Sequence, residues 1–436
     1  MVDWPGAGFG RSSHHDAERI GIGRGTVSTL PLSATPASWS AHPTRFHPYP
    51  RRVDVPSSPG HSLLRRRGEP PAAALELFYD LVFVAAIVVL SDSFSHSPGL
   101  ADLAWLSIVF VVAWLIWLQT ALLFNLCAPQ PSIATHDVMR VLVLAQMLLL
   151  MLAAVSASDG VELDSEYVGP LFAAILVVVA AMHRFVAWKE PALAVYTRPR
   201  ILACVLAAIV FALTPWYPDP GYLLFWVAGA VLVVVPSLRP DPLGGRIVDA
   251  EHLVERFGAF TIIMLGESFV KAGLTASQGE MEGLDLLCLL GTFVIVFAIW
   301  WLYFADVPHA GPPAGHGGHV AWMLVHLPLH LCIVGVAVGV AKVITGENSD
   351  VIPEVVPYLT VPLVGVLACL AALEALSGER GGGRVVAVLA GATGLVAVVG
   401  LVGRYADPAG LEATSLALAA IMVGTVATTR RLRPHR

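Results

Sequence analysis

Long apolar segments alternate with short polar connections between residues 72 and 429. Most of them approach or exceed the roughly 20 residues that a helix needs to cross about 30 Å of hydrocarbon. They need no polar face, because lipid replaces water as the surrounding solvent. The pattern predicts twelve transmembrane helices, at 72–90, 100–126, 138–156, 168–188, 199–217, 221–237, 253–274, 284–305, 322–345, 355–376, 384–405 and 411–429.

The composition agrees with an all-α, polytopic membrane bundle. Of the 436 residues, 56% are hydrophobic and 13% charged, against the roughly 25% charged residues of soluble domains. We expect three regions: a disordered, basic, Pro/Ser/Arg-rich tail at 1–68, a transmembrane domain at 69–430, and a basic terminus at 431–436. The spans leave only short loops, so no soluble catalytic domain is expected.

Lysine and arginine predict the orientation, because they accumulate in cytoplasmic loops. They occur in alternate connections, at Arg140, then Arg184 to Arg200, then Arg239 and Arg246, then Arg380 and Arg384. Both termini are therefore expected in the cytoplasm, with the chain in the inner membrane. A formal net charge of −6 argues against nucleic acid as a partner. The expected partners are the lipid bilayer and an unknown small molecule or ion, and the sequence leaves the oligomeric state open.

An internal duplication is a further possibility. Glu76 and Phe78 begin the first span as Glu255 and Phe257 begin the seventh, and both following spans carry tryptophan pairs. Two six-helix halves, at 72–237 and 253–429, would share one orientation and be related by an axis along the membrane normal.

Charged residues inside the spans are the candidate functional groups, since each costs at least roughly 2.5 to 3.5 kcal/mol at mid-membrane. Glu76 and Asp80 are four residues apart and so share a helix face. Two carboxylates there could bind a cation or share a proton. They could equally cap the helix or pair with Arg256 or another basic residue.

The seventh span carries the most charge. Glu255 and Arg256 lie near its start, and Glu267 lies about 21 Å along the helix from Leu253 at 1.5 Å per residue. Lys271 follows Glu267 by four residues, which is the favourable order for a helical ion pair. The sequence therefore allows either a structural pair or an ion-binding carboxylate at Glu267.

The ninth span contains His326 and His330, four residues apart around Pro328. The pair could relay protons, bind a metal with ligands from other spans, or pack at a proline kink. Spacing alone provides no metal-ligand set, so we expect no metal and no cofactor. Trp300, Trp301 and Tyr303 are interpreted as an interfacial aromatic belt.

Four segments resemble those of the bacterial low temperature requirement A (LtrA) family. They are Glu76-LFYDLVFVAAI-Val88, His252-LVERFGAFTIIMLGES-Phe269, Ile299-WWLYFAD-Val307 and His326-LPLHLCIVGVAVGV-Ala341. The resemblance implies a multi-pass inner-membrane protein associated by name with growth in the cold, and implies no biochemical activity. Its pattern marks Glu76, Phe78, Asp80, Glu255, Arg256, Phe257, Gly266, Glu267, Ser268, Trp301, Tyr303 and His326.

Three functions fit these residues. The first is a secondary transporter or ion-coupled permease using Glu76, Asp80, Glu255, Arg256, Glu267, Lys271, His326 and His330. The second is a membrane enzyme acting on a lipid or isoprenoid through acids and His252 near the inner face. The third is a scaffold or cold-adaptation factor in which the same charges are structural ion pairs. The chain has no Walker A, dinucleotide-fingerprint, HExxH or GxSxG motif.

Overall fold

Every apolar segment named above lies on a helix. The computed structural model describes residues 71–96, 100–158, 167–216, 221–239, 249–278, 283–313, 315–345, 352–378, 382–405 and 408–433. All of them belong to the compact unit Arg65–Arg436. The predicted tail at 1–68 lies outside the described residues, as do residues 434–436 of the predicted terminus at 431–436.

The helices divide into two runs along the chain. The first run is α1 Pro71–His96, α2 Leu100–Cys127, the short α3 Pro131–Ala134, α4 Asp137–Ser158, α5 Val168–Lys189, α6 Ala194–Ala212 and α7 Gly221–Leu238. The second is α8 Ala250–Gln278, α9 Gly283–Ala310, α10 His316–Thr345, α11 Ile352–Ser377, α12 Gly382–Gly403 and α13 Pro408–Leu432. Eleven of the described helices are long and apolar enough to cross a membrane, and the apolar part of α7, Leu223–Leu238, is shorter. The all-α polytopic membrane bundle is confirmed.

The helices differ from the predicted spans mainly at their ends. α10 begins at His316 rather than at residue 322, and α6 begins at Ala194 and continues through Pro199. A helix satisfies its own backbone hydrogen bonds wherever it lies, whereas hydropathy marks only the part that suits hydrocarbon. The apolar pattern therefore finds each helix but not its exact ends: it starts α10 too late, and it places α6 five residues too late without changing its length.

Large apolar side chains also cover the outer surface of the bundle. Leu77 of α1, Leu148 of α4, Val361 of α11 and Leu401 of α12 are each more than half exposed. In water such a surface would aggregate, but in a bilayer it faces acyl chains at no cost. The exposed faces therefore agree with a multi-pass membrane protein.

The two runs of long helices share one pattern of neighbours. In the first run, the packed pairs are α1 with α4, α4 with α5, α5 with α6 and α6 with α7. The remaining long helix, α2, contacts α1, α5 and α7. In the second, α8 packs on α10, followed by α10 on α11, α11 on α12 and α12 on α13, while α9 contacts α8, α11 and α13. A duplicated six-helix unit would produce this correspondence. The duplication stays a prediction, now with the helix neighbours in its favour.

α1 and α8, the first helix of each run, meet where the two runs join. Asp80 contacts Arg256, and further along both helices Ser91 contacts Glu267. Both pairs are separated by 176 residues in the chain, so α1 and α8 run parallel in constant register. We call this contact the α1–α8 seam.

Small residues allow the closest helix contact in the second run. An added Cβ at Gly335 of α10 would lie 2.7 Å from the Pro362 ring of α11. One at Gly339 would lie 2.7 Å from the Leu359 Cα, closer than real Cβ atoms approach. Glycine is therefore required at these two positions for α10 and α11 to pack, as is usual for membrane helices.

Candidate functional site

One end of the α1–α8 seam is a buried group of charged side chains, which we call the Arg256 cluster: Glu76 and Asp80 of α1 with His252 and Arg256 of α8. The Arg256 guanidinium donates to Asp80 Oδ1 at 2.8 Å, and its Nε lies 3.5 Å from Glu76 Oε2. His252 Nε2 lies 3.3 Å from the same Glu76 oxygen. The i, i+4 spacing of the two acids places both on the face of α1 that meets α8.

Burial makes this cluster unusual. Asp80 is fully buried, and Glu76 and Arg256 are 5% and 6% exposed. Trp117 of α2 donates its indole N–H to Asp80 Oδ1 at 2.8 Å, so one carboxylate oxygen receives two donors. Asp80 Oδ2 receives no hydrogen bond from the described residues. The single positive charge of Arg256 thus neutralises only part of the negative charge of two buried carboxylates. Such an arrangement is energetically costly and is often retained because function requires it.

The other end of the seam is the Glu267 site, formed by Ser91 of α1 with Glu267 and Lys271 of α8. The Ser91 hydroxyl donates to Glu267 Oε1 at 3.0 Å. Glu267 and Lys271 are 3% and 4% exposed, and their charges interact. The second carboxylate oxygen, Glu267 Oε2, has no hydrogen-bond partner among the described residues. A buried carboxylate oxygen without a donor is a place where a proton or cation could bind.

An aromatic layer separates the two charged groups. Asp80 and Ser91 are eleven residues apart on α1, about 16 Å along a helix. Between them the Phe83 and Phe260 rings meet with centroids 5.3 Å apart, and Trp117 packs on Phe260 at 4.2 Å. Phe83 and Phe260 are buried, so this part of the seam is closed to water.

A histidine network lies beside the aromatic layer. His326 and His330 of α10 are fully buried and face α8 and α9. His330 Nε2 lies 2.9 Å from the Thr261 hydroxyl of α8, and its Nδ1 lies 3.0 Å from the Trp114 indole nitrogen. His326 Nε2 lies 3.1 Å from the Tyr303 hydroxyl of α9. The histidines therefore link α10 to α2, α8 and α9 within the apolar span His316–Ile344.

The partners fix the tautomer of each histidine in its neutral form. The Trp114 indole only donates, so His330 Nδ1 accepts and His330 Nε2 carries the proton toward Thr261. The Trp322 carbonyl only accepts, so His326 Nδ1, 2.8 Å away, carries the proton. His326 Nε2 is then the acceptor for the Tyr303 hydroxyl. The two rings thus hold opposite tautomers.

The first run of helices has a similar bridge without a titratable centre. Gln146 of α4 donates to the Tyr79 hydroxyl of α1 at 2.7 Å and to the Thr120 hydroxyl of α2 at 3.0 Å. In the second run two side chains of the third long helix share this role: His330 bonds to Thr261 of the first helix, α8, and His326 bonds to Tyr303 of the second, α9. The first run uses glutamine where the second uses histidine.

The sequence candidates therefore divide into groups. Glu76, Asp80 and Arg256 meet in one cluster, as the sequence allowed, and Glu267 and Lys271 lie together at the other end of the seam. His326 and His330 face a shared network. Glu255 is exposed on α8 and lies outside all three groups. Among the described residues, no group of three or more His, Cys, Asp or Glu side chains is arranged to hold a metal ion.

Comparison with known proteins identifies the family. The model of the bacterial low temperature requirement A protein (LtrA) matches residues 71–427. The chain belongs to the LtrA family. It is also 28% identical over 247 residues to an uncharacterized protein of Rhizobium meliloti (strain 1021), covering 53% of this chain and 58% of that one. No solved structure matches the chain.

Residues of the LtrA pattern that are far apart in the sequence are in contact in this member of the family. Glu76 and Asp80 contact Arg256, and His326 contacts Tyr303. Phe257 packs between these two groups of contacts. Its ring centroid lies 5.2 Å from that of Trp117 and 4.7 Å from that of His326. The LtrA segments therefore form one region around the seam.

The interpretation of Tyr303 as part of an aromatic belt is wrong. Trp300 and Trp301 are 40% and 38% exposed, as a belt requires, but Tyr303 is 1% exposed and bonds to His326. Tyr303 lies on a different face of α9 from Trp301, because two residues turn a helix by about 200°. The same periodicity places Tyr303 only about 60° from Trp300, so the sequence could separate Tyr303 from Trp301 but not from Trp300.

Sequence reasoning also missed Ser91, Trp117 and Thr261 as site residues. Serine and threonine are common in membrane helices, and a tryptophan there usually packs or anchors. Only their contacts with Glu267, Asp80 and His330 distinguish them.

Proposed function

We propose that this LtrA-family protein is an ion-coupled secondary transporter of the inner membrane, with both termini cytoplasmic and a small molecule or ion as its substrate. The observation that carries the proposal is the α1–α8 seam, which holds buried carboxylates on both sides of a closed aromatic layer. Charges at these depths are costly and are usually kept in membrane proteins for transport or ion binding.

The seam also has the position that a transporter needs. Substrate and ion sites in transporters built from repeats lie between the repeats, where one half can move against the other. α1 and α8 are the equivalent first helices of the two runs and pack directly together. Rearrangement at the seam would alternately expose the Arg256 cluster and the Glu267 site to the two sides.

The residues then take separate roles. Glu267 or Asp80 binds the coupling proton or cation, because each has a carboxylate oxygen that no described residue reaches with a hydrogen bond. Lys271 and Arg256 neutralise these acids when the ion is absent, so each base competes with the ion for the carboxylate. Pro328 lacks the N–H that would bond to the Leu324 carbonyl, which weakens α10 beside the two histidines.

The two other functions are less well supported by the geometry. A lipid-modifying enzyme was expected to use Glu76, Asp80, His252 and Glu255; the first three lie in the Arg256 cluster, but Glu255 is exposed on α8. A scaffold would account for the ion pairs of the Arg256 cluster. It would not account for the buried oxygens of Asp80 and Glu267 that receive no hydrogen bond from the described residues.

The test is transport by purified protein in liposomes loaded with a pH-sensitive dye. A panel of amino acids, sugars, nucleosides and carboxylates is added under an imposed pH gradient, and internal pH is recorded. E267Q keeps the volume and removes the charge, so we expect metabolite-driven proton movement to fall to that of protein-free vesicles. E255Q removes an exposed acid from the same helix and should behave as the wild type.

A charge exchange separates the transporter from the scaffold. E267K/K271E keeps both charges within one helical turn, so a purely structural pair would tolerate it. A transport site would not, because the carboxylate would leave Ser91. Normal coupling in E267Q, or in the exchanged variant, would reject the proposed mechanism.

A further inference from the structure

The histidine network contains one nitrogen that can gain a proton without losing a hydrogen bond. His326 Nε2 accepts from the Tyr303 hydroxyl, and that hydroxyl also interacts with the Thr261 side chain. If His326 Nε2 gains a proton, it becomes a donor, and the Tyr303 oxygen can accept from it. The Tyr303 proton then turns toward the Thr261 oxygen.

Thr261 has room for this second hydrogen bond. Its hydroxyl donates to the Phe257 carbonyl at 2.7 Å and accepts from His330 Nε2 at 2.9 Å. A hydroxyl oxygen can accept twice, so one acceptor position remains for Tyr303. Each polar atom named here therefore keeps a partner once the Tyr303 hydroxyl rotates and moves closer to Thr261.

His330 cannot take the proton in the same way. Its Nδ1 accepts a hydrogen bond from the Trp114 indole N–H, which can donate but cannot accept. A proton on His330 Nδ1 would place two donors against each other in a fully buried site. The network thus distinguishes two neighbouring histidines whose ring centroids are 5.7 Å apart.

We propose that His326 is a proton-binding site within the apolar span of α10, in which Tyr303 reorients to Thr261 when His326 Nε2 is protonated. The new N–H bond is the one covalent bond that forms, and the proton stays on His326 Nε2 until it is released. The role of this proton in coupling rests on the function proposed above, whereas its binding does not.

The position of His326 suits transient binding. It lies ten residues after His316 in α10, about 15 Å along the helix. Its ring neighbours are aromatic, with Phe257 at 4.7 Å and Trp322 at 4.3 Å. A resident positive charge is costly in such surroundings, so the neutral ring is the resting form.

The helices that pack against α10 carry several titratable or charged groups. Among the described side chains, α7 contributes none and α2 contributes only the Cys127 thiol. The others are Glu76, Tyr79, Asp80 and Asp92 of α1, Glu251, His252, Glu255, Arg256, Glu267 and Lys271 of α8, Cys288 and Tyr303 of α9, Tyr358, Cys369 and Glu374 of α11, and His316, His319, His330, Cys332 and Lys342 of α10 itself. Glu374 is paired with Arg433, and Asp80 with Arg256. Tyr303 is the side chain that bonds to His326.

The equivalent bridge in the first run supports specialisation of the second. Gln146 makes the same kind of link to the neighbouring helices and cannot titrate. A purely structural bridge is therefore achieved by glutamine. Histidine in the second run adds the capacity to bind one proton.

The experiment compares H326Q and Y303F with H183Q in the same dye-loaded liposomes. His183 is a close match, because it is fully buried and its Nδ1 lies 3.0 Å from the carbonyl four residues earlier, as in His326. We expect metabolite-driven proton movement to fall to background in H326Q and sharply in Y303F, and to remain in H183Q. Wild-type coupling in a folded H326Q would overturn the role of the His326 proton in coupling.

Nitrogen-15 NMR of the histidine rings in lipid nanodiscs tests the site without transport. The neutral wild type should show Nδ1–H at His326 and Nε2–H at His330. On acidification, His326 Nε2 should gain a proton while His330 stays neutral. Protonation of His330 first, or of neither ring over the pH range in which the protein stays folded, would overturn the proposal even if transport is observed. Silent liposomes with the expected NMR titration would instead reject only the transporter function.

Discussion

The replacement of Arg256 by methionine tests how the buried acids are held. Arg256 faces Asp80 at 2.8 Å and Glu76 at 3.5 Å, with all three side chains buried. Methionine keeps the apolar stem and removes the charge, so two carboxylates lose their counter-ion. Removal of one partner of a buried pair costs roughly 3–5 kcal/mol. We expect R256M to lower the free energy of unfolding by about this amount.

The assay is reversible unfolding in mixed detergent micelles, followed by tryptophan fluorescence, to which Trp117 beside Asp80 contributes. R140M is the matched control, because Arg140 pairs with Asp137 at 3.4 Å on the surface, where the two are 44% and 92% exposed. Such surface pairs are worth about 0–1 kcal/mol. The R256M/D80N/E76Q variant should recover most of the loss, since no buried charge remains unpaired.

The pH dependence follows from the same reasoning. The penalty in R256M comes from burying negative charge without a partner, and protonation of the acids removes that charge. The difference in stability between wild type and R256M should therefore shrink as pH falls from 7.5 to 4.5. An R256M that unfolds no more easily than R140M at neutral pH would refute the pairing and its energetic weight.

Two further predictions concern packing. G339A should destabilise the protein by about 1–3 kcal/mol, because the added Cβ would press on the α11 backbone. The control G424A has open space at its Cβ and should leave the free energy of unfolding unchanged or raise it by about 0.4–1 kcal/mol. Equal unfolding midpoints for the two variants would contradict the close contact. The F83A/F260A variant should open the aromatic layer and let protons leak into dye-loaded vesicles without any metabolite, while F297A, at a position 60% exposed, should stay tight. Tight F83A/F260A vesicles would show that the barrier lies elsewhere.

Local patterns in the sequence are enough to identify a multi-pass membrane protein and to locate most of its helices. A bilayer demands about 20 apolar residues per crossing and tolerates few charges, so the spans and the unusual side chains are both visible in the chain. Helical periodicity placed Glu76 and Asp80 on one face. These conclusions need only the local order of residues, because the solvent and the helix period act locally.

The tertiary structure alone decided which of these side chains meet. Arg256 contacts Asp80 across 176 residues of chain, and Ser91 reaches Glu267 at the same separation. In lipid every helix is apolar around most of its surface, so hydropathy does not distinguish a face that meets another helix from one that meets acyl chains. Tyr303, an expected belt residue that is buried against His326, shows the consequence. Contacts between distant helices depend on the shapes that pack together, and no spacing within one span records them.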